Sequence, residues 1–308
     1  MSEARALQEP VRTRTRSLMQ AGALLFAAGA CAHAPEPRPV EWQEIATLPV
    51  PPADHRVAYG SDPHQFGELR LPAGPGPHPV AVVIHGGCWR SQYNLDYVSH
   101  LAAALAKAGV ATWSLEYRRI GNAGGGWPGT FQDVARGADH LRELARRFPL
   151  DTTRVVATGH SAGGHLALWL AARPNLAAGS VLHAPDPLRL RGVVPLAAIT
   201  DLRTYGAGTG SCNAAVPLLM GGSPAEVPGR YAEGNPTELL PLRIPSRLVH
   251  GTLDSTVPLE QARAFEAAAR ERGDDARVLL VEGAGHFDVV APFAPAWRTV
   301  ERAVLSLL

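Results

Sequence analysis

The feature that most constrains the fold is a regular alternation between short apolar runs and longer amphipathic stretches after about residue 55. Several runs are continuously apolar, which is typical of parallel strands buried on both faces. The strand-like runs lie at 56–59, 67–71, 79–84, 110–115, 154–158, 192–198, 247–250 and 277–281. The helical patterns lie at 97–108, 130–148, 162–173, 259–273 and 292–308. This order predicts an α/β fold with a mostly parallel central sheet and helices on both faces. The Gly- and Pro-rich segment 203–244 is predicted to be a small insertion between later strands, near the carboxyl edge of the sheet.

The first thirty residues have a different character from the rest of the chain. Three arginines, Arg12, Arg14 and Arg16, precede an apolar run at 18–30, which is typical of a secretion signal. That run is too short to span a bilayer as a helix. Residues 28–31 resemble a bacterial lipobox, so Cys31 is predicted to be acylated; ordinary cleavage within 32–34 is the alternative. The sequence therefore predicts a signal peptide at 1–30, a Pro-rich tether at 31–54 and one domain at 55–308, in an exported, periplasmic, membrane-anchored protein.

Charge and cysteine content exclude several classes of partner. The formal net charge is +1, and without residues 1–30 the chain has 25 cations and 26 anions, so nothing attracts a phosphate backbone and no nucleic acid is expected. Besides Cys31, only Cys88 and Cys212 are present, without zinc-site spacing, so no metal or other cofactor is predicted. Whether these two cysteines pair, and the oligomeric state, stay open.

The strongest chemical signal is the pentapeptide Gly159-His160-Ser161-Ala162-Gly163, between a predicted strand and a predicted helix. A G-x-S-x-G turn of this kind needs small residues on both sides, because the serine occupies a tight, strained strand-to-helix connection that presents its hydroxyl outward. Ser161 is therefore predicted to be a nucleophile.

A serine alcohol needs a base to act as a nucleophile near neutral pH, and the base needs an orienting carboxylate. Asp254 follows one predicted strand and His286 follows the next, so both should reach the same sheet edge as Ser161. We predict that His286 is the general base and Asp254 its partner. Asp201 and Asp288 are the alternative carboxylates. The remaining candidate histidines are better interpreted as structural or pocket-lining groups: His160, His165, His183 and His250.

An anionic tetrahedral intermediate also requires N–H donors. Ala162, directly after the predicted nucleophile, supplies one. Gly86 and Gly87 follow another predicted strand, and their lack of a side chain lets the main chain approach a substrate oxygen. Trp89 and Trp127 could shape the substrate pocket; equally, they could be core packing and part of a surface loop, and the sequence leaves the two interpretations open.

Taken together, these motifs resemble the α/β-hydrolase superfamily over nearly all of residues 55–308. Within it, His85-Gly-Gly-Cys-Trp89 and Gly159-His-Ser-Ala-Gly163 are similar to the kynurenine formamidase-like and small bacterial carboxylesterase branch. The resemblance implies the α/β-hydrolase fold and a triad of Ser161, Asp254 and His286. The chain departs from formamidases at Cys88, where they usually have an aromatic residue, and in its predicted secretion signal.

The leading functional hypothesis is a serine esterase that cleaves a small carboxylic ester through an acyl-enzyme. An arylformamidase, amide hydrolase or exopeptidase-like activity would use the same residues on a small amide. A non-catalytic binding module is the alternative from another class, but such proteins commonly lose a triad residue, and none is missing here.

Overall fold

A computed structural model describes residues 38–308 of the protein, and its centre is one eight-stranded sheet. The strands follow one another in space in the order β1-β2-β4-β3-β5-β6-β7-β8. Their bounds are β1 His55–Ala58, β2 Phe66–Arg70, β3 His78–Ile84, β4 Ala111–Leu115, β5 Leu150–His160, β6 Gly192–Leu196, β7 Ser246–Gly251 and β8 Ala276–Val281. β1 and β2 are antiparallel to their neighbours, and the strands from β4 to β8 are parallel. The predicted mostly parallel sheet is confirmed.

Ten α-helices accompany the sheet within residues 38–308. They are α1 Trp42–Ala46, α2 Ser99–Lys107, α3 Gly129–Asp139, α4 Leu141–Leu144, α5 Ala162–Ala172, α6 Leu202–Gly206, α7 Ala215–Met220, α8 Pro228–Gly234, α9 Leu259–Glu271 and α10 Trp297–Leu305. The helix predicted at 130–148 is divided at His140 into α3 and α4, and the one predicted at 292–308 begins only at Trp297. Within this range no helix is both long enough and apolar enough to cross a membrane.

The alternation of side chains along β3 shows how the sheet separates two cores. Val80, Val82 and Ile84 face one cluster, to which α3, α5 and α9 contribute. Ala81 and Val83 face a second cluster, to which α1, α2 and α10 contribute. All five side chains are at most 1% exposed. Because both faces of β3 are covered, a continuously apolar strand is the stable choice there.

The region predicted as a tether differs from that prediction where the structure describes it. Residues 42–46 form α1, and Ile45, 2% exposed, packs into the second core cluster. Burial of one isoleucine against the domain holds this short helix in place, although isolated helices of this length are unstable. The predicted signal peptide and Cys31 lie outside the described residues and stay predictions, as do export and lipid anchoring.

The predicted insertion at 203–244 contains α7, α8 and most of α6. These are short helices, and each buries one side against the domain, with Tyr205, Val216 and Tyr231 at most 3% exposed. The insertion follows β6 and leads to β7, so its first part lies beside the carboxyl ends of the parallel strands.

Candidate active site

Ser161 occupies the turn between β5 and α5 in a strained backbone conformation. Its φ is 58° and its ψ is −120°, values that non-glycine residues rarely adopt. The turn is held because the Ser161 N–H donates to the Leu196 carbonyl at 2.8 Å and its carbonyl accepts from the His165 N–H at 3.1 Å. A side chain at Gly159 or Gly163 would overlap main-chain atoms, of Gly163 and of Ile84 respectively. The flanking glycines are thus required by close packing of the turn.

Asp254 and His286 form a hydrogen-bonded pair beyond the ends of β7 and β8. The Nδ1–H of His286 donates to Asp254 Oδ2 at 2.8 Å, which leaves Nε2 as the unprotonated nitrogen. Asp254 Oδ1 accepts from the N–H groups of Thr256 and Val257 at 2.8 and 2.9 Å. The pair is therefore fixed by the loop that carries the carboxylate.

The environment keeps Asp254 ionised. Burial of its side chain, 0% exposed, opposes the charge. The hydrogen bond and charge of His286 and the Val257 N–H outweigh that effect, so the pKa of Asp254 lies below its ordinary value. An ionised carboxylate at this position stabilises an imidazolium on His286.

Ser161 and His286 line the same cavity, of about 310 Å³. No hydrogen bond joins their side chains in the part of the chain described. Such contacts are often long in unliganded enzymes and tighten when substrate binds. The structure thus brings the three predicted residues to one sheet edge, with the Asp254–His286 bond formed and the bond to Ser161 not formed.

The two alternative carboxylates have other partners. Asp201 caps α6, since its Oδ1 accepts from the N–H groups of Arg203 and Thr204. Asp288 Oδ2 accepts from the N–H groups of Gly285 and Val40, each at 2.9 Å. Neither carboxylate is hydrogen-bonded to His286, so Asp254 alone of the three has the required contact.

The three predicted main-chain donors have different surroundings. The Gly86 N–H donates to the Tyr97 hydroxyl at 2.6 Å, which contradicts its predicted part in binding a substrate oxygen. In residues 38–308 the N–H groups of Gly87 and Ala162 have no hydrogen-bond partner. His85 Nδ1 is 2.9 Å from the Gly86 carbonyl oxygen, and in a trans peptide the next N–H, that of Gly87, points the opposite way. Gly87 and Ala162 thus stay available as donors.

A further hydrogen-bonded chain passes behind Ser161. The Tyr97 hydroxyl, which accepts from Gly86, is 3.1 Å from His160 Nδ1, and His160 Nε2 is 2.9 Å from the His286 carbonyl oxygen. Burial lowers the pKa of His160 to about 3, so this imidazole is neutral at neutral pH. Its Nε2 then donates to His286 and its Nδ1 accepts from Tyr97. These hydrogen bonds connect the Gly86 loop, the Ser161 turn and the His286 loop.

Neither predicted pocket tryptophan lines the cavity. Trp89 is 0% exposed and lies in the core, with its ring perpendicular to that of His165, and the backbone at Cys88 and Trp89 is left-handed. Trp127 packs on Phe131 outside the cavity. The aromatic lining comes instead from Trp42, Tyr93, Tyr97 and Phe287. Of these, only Phe287 had a sequence signal, its position next to His286.

A disulfide joins Cys88 to Cys212 with a Cα–Cα distance of 5.1 Å, and both residues line the cavity. It links the loop after β3 to the insertion between β6 and β7. Cys88 and Cys212, whose pairing the sequence left open, are therefore paired.

Within residues 38–308, no three His, Cys, Asp or Glu side chains are arranged to hold a metal ion. His160 and His165, which lie five residues apart, have separate main-chain partners, the carbonyls of His286 and Gly234.

Comparison with known proteins finds one matching family and several relatives that carry esterase names. Residues 69–268 match the model of the BD-FAE family. The chain is 26% identical over 248 residues to isoprenylcysteine alpha-carbonyl methylesterase of Arabidopsis thaliana, covering 76% of this chain and 56% of that protein. It is 26% identical over 200 residues to the esterase LipQ of Mycobacterium tuberculosis, covering 63% and 46%. The chain thus spans about half the length of these curated relatives.

Among solved structures, a truncated carbohydrate esterase from gut microbiota superposes with a TM-score of 0.71 at 22% identity, covering 82% of this chain and 94% of that one. This likeness confirms the predicted α/β-hydrolase fold.

Proposed function

The chain belongs to the BD-FAE family, and from that premise we propose that it is a serine esterase that hydrolyses a small carboxylic ester through an acyl-enzyme. The observation that carries the proposal is the strained Ser161 turn, which shares a cavity with the hydrogen-bonded His286–Asp254 pair. The esterase names of the relatives agree with it. The finer resemblance to the kynurenine formamidase-like branch stays a prediction.

In the proposed acylation step, Ser161 Oγ bonds to the ester carbonyl carbon while His286 Nε2 takes the hydroxyl proton. The carbonyl electron pair moves to its oxygen, and the N–H groups of Gly87 and Ala162 donate to the resulting anion. Collapse of this intermediate breaks the bond to the alcohol, which leaves with the proton from His286.

In the proposed deacylation step, water gives a proton to His286 Nε2 and its oxygen bonds to the acyl carbon. The second intermediate releases Ser161, which regains the proton, and the carboxylic acid. In both steps Asp254 holds the His286 tautomer and stabilises its positive charge. The hydrogen bonds that fix the buried Asp254 side chain support this role.

The proposal is tested by measuring hydrolysis of short p-nitrophenyl esters, N-formylkynurenine and an aminoacyl anilide by the full chain and its variants. We expect ester turnover in the wild type, and a fall of at least about 10⁴-fold in kcat in Ser161→Ala and about 10⁴-fold in Asp254→Asn. Asp201→Asn is the matched control, because asparagine also caps helices, and it should keep near wild-type turnover.

Each other outcome decides between hypotheses. Undiminished turnover in Ser161→Ala would remove Ser161 as the nucleophile. A preference for the formamide or the anilide over esters would favour the amide hydrolase or exopeptidase-like alternative. No turnover of any substrate by the wild type would favour a binding module.

A further inference from the structure

We propose that Trp42 determines which esters the cavity accepts, by limiting the size of the apolar group that fits beside Ser161. The inference rests on the proposed esterase function and names a residue that lies in the segment predicted as a tether. Residues 38–47 are referred to below as the N-terminal segment.

The Trp42 ring lies among the other aromatic rings of the cavity. Its centroid is 5.4 Å from that of Tyr93, 5.3 Å from that of Tyr97 and 5.6 Å from that of Phe287. Such separations and tilted or edge-on angles are those of attractive aromatic pairs. Phe287 in turn contacts His286, with ring centroids 5.1 Å apart. Trp42 therefore contacts Phe287, which packs directly against His286, the general base of the proposed mechanism.

The backbone on both sides of Trp42 is held in place. After it, Ile45 is buried in the second core cluster. Before it, the Val40 N–H donates to Asp288 Oδ2 at 2.9 Å. Two contacts also form within the segment: Arg38 makes an ion pair with Glu44 at 2.7 Å, and the Glu44 carboxylate accepts from the Glu41 N–H at 3.0 Å. A ring fixed in this way forms a wall of defined position.

Asp288 ties the N-terminal segment to the His286 loop. Its Oδ2 accepts from Val40 and also from the Gly285 N–H at 2.9 Å. A side chain at Gly285 would approach Pro39 Cβ to 2.7 Å, so glycine permits the close contact between the two segments. The position of Trp42 is thus set relative to His286.

The chemistry of the lining indicates an uncharged, apolar group as occupant. No Asp, Glu, Lys or Arg is among the residues that line the cavity, and the lining includes four aromatic side chains and the disulfide. In an apolar pocket one methylene more or less changes kcat/KM by about 10-fold to 200-fold. Removal of the half-buried indole would open space next to Tyr97 and Phe287, where a longer chain would fit.

The test compares Trp42→Ala with wild type on two ester series: p-nitrophenyl acetate, butyrate and octanoate, which vary the acyl group, and ethyl and octyl acetate, which vary the alcohol. We expect the ratio of kcat/KM for the long ester to that for the short ester to rise about tenfold or more in at least one series. Trp42→Phe keeps an aromatic wall and should stay closer to wild type. Phe293→Ala removes an aromatic residue that is 56% exposed and outside the cavity, so its ratio should not change.

Thermal unfolding of each variant separates selectivity from loss of fold, and Trp42→Leu replaces Trp42→Ala if the alanine variant does not fold. A ratio within twofold of wild type in both series would overturn the inference while leaving the esterase proposal intact. A wild type that hydrolyses no ester, or does so independently of Ser161, would overturn the esterase proposal and this inference with it.

Discussion

At the scale of single residues, the buried histidines around Ser161 contribute to acid sensitivity. His165 is 0% exposed, with Nε2 2.9 Å from the Gly234 carbonyl oxygen, and burial lowers its pKa to about 4. An unfolded histidine has a pKa near 6.5. Between these values the unfolded chain binds a proton that the folded chain does not, so stability falls as pH falls from about 6.5 towards 4. The pKa of His160 is lowered to about 3, so this residue also reduces stability as the pH falls from about 6.5 towards 3.

We predict that His165→Gln reduces the loss of stability in acid, because a glutamine amide can still donate to Gly234 but does not titrate. Between pH 6 and 4.5 the free energy of unfolding should fall more steeply for wild type than for the variant. The two slopes should differ by about 1.4 kcal/mol per pH unit. Urea unfolding at several pH values measures both slopes, with His55→Gln, an exposed position, as the control. Parallel slopes for wild type and His165→Gln would contradict the prediction.

Residues that follow strands were the easiest to predict. Ser161, Asp254 and His286 each come soon after an apolar run, and parallel strands bring their carboxyl ends together. The sequence left the place of Trp89 open between pocket and core, because the positive φ at Cys88 and Trp89 is not revealed by any pattern of residue types. The hydrogen bond that occupies the Gly86 N–H was also not predictable, since its partner Tyr97 is eleven residues further along the chain and no local pattern links the two.

At the scale of elements, the loops after β3, β5 and β8 are joined by the hydrogen bonds of Tyr97 and His160. Tyr97 is 5% exposed, so its hydroxyl is shielded from water that would replace these bonds. Loss of the hydroxyl leaves the Gly86 N–H and the His160 Nδ1 without partners. An unpaired buried polar group costs about 1–3 kcal/mol.

We predict that Tyr97→Phe lowers the free energy of unfolding by about 1–3 kcal/mol and kcat by about tenfold, since the loops that carry Gly87, Ser161 and His286 lose their common support. Tyr231→Phe is the matched control: that hydroxyl donates to the Gly222 carbonyl, away from the cavity, so its loss should affect stability only. Denaturant unfolding and steady-state kinetics on both variants make the comparison. Equal kcat in the two variants would show that Tyr97 has no positioning role.

Elements with a clear apolar or amphipathic pattern were predicted more successfully than those without one. All eight strands and α2, α5 and α9 correspond to such patterns in the sequence. α1 has five residues between proline-rich stretches, and its sequence signals were weak: Glu41 and Glu44 at its start and one buried isoleucine. The break at His140 was also missed, because the apolar pattern continues through Leu141 and Leu144 into α4.

At the scale of the whole molecule, the disulfide connects parts of the chain that are 124 residues apart. One cysteine follows β3 near the middle of the sheet, and the other lies in the insertion after β6. A cross-link over so long a loop restricts the unfolded chain strongly. The sequence could not predict the pair, because a separation of this size is compatible with many positions in space.

We predict that Cys88→Ser combined with Cys212→Ser lowers the free energy of unfolding by about 2–5 kcal/mol, because the unfolded chain regains freedom when the loop is opened. Denaturant unfolding of wild type, with and without a reductant, and of the double variant measures this. Reduced wild type should match the double variant, whose own stability should not respond to reductant. Equal stability of oxidised wild type and the double variant would refute the prediction.

The aromatic cavity is lined by Trp42, near the beginning of the described chain, and by Phe287, near its end. Contacts between residues so distant in sequence form slowly, because a large loop must close before they contribute. The contacts of β3 with β5, and of α5 with both strands, join residues that are much closer in sequence. In a nascent or refolding molecule, we therefore expect the cavity to be among the last features to form. Activity would then appear only once the whole domain has folded.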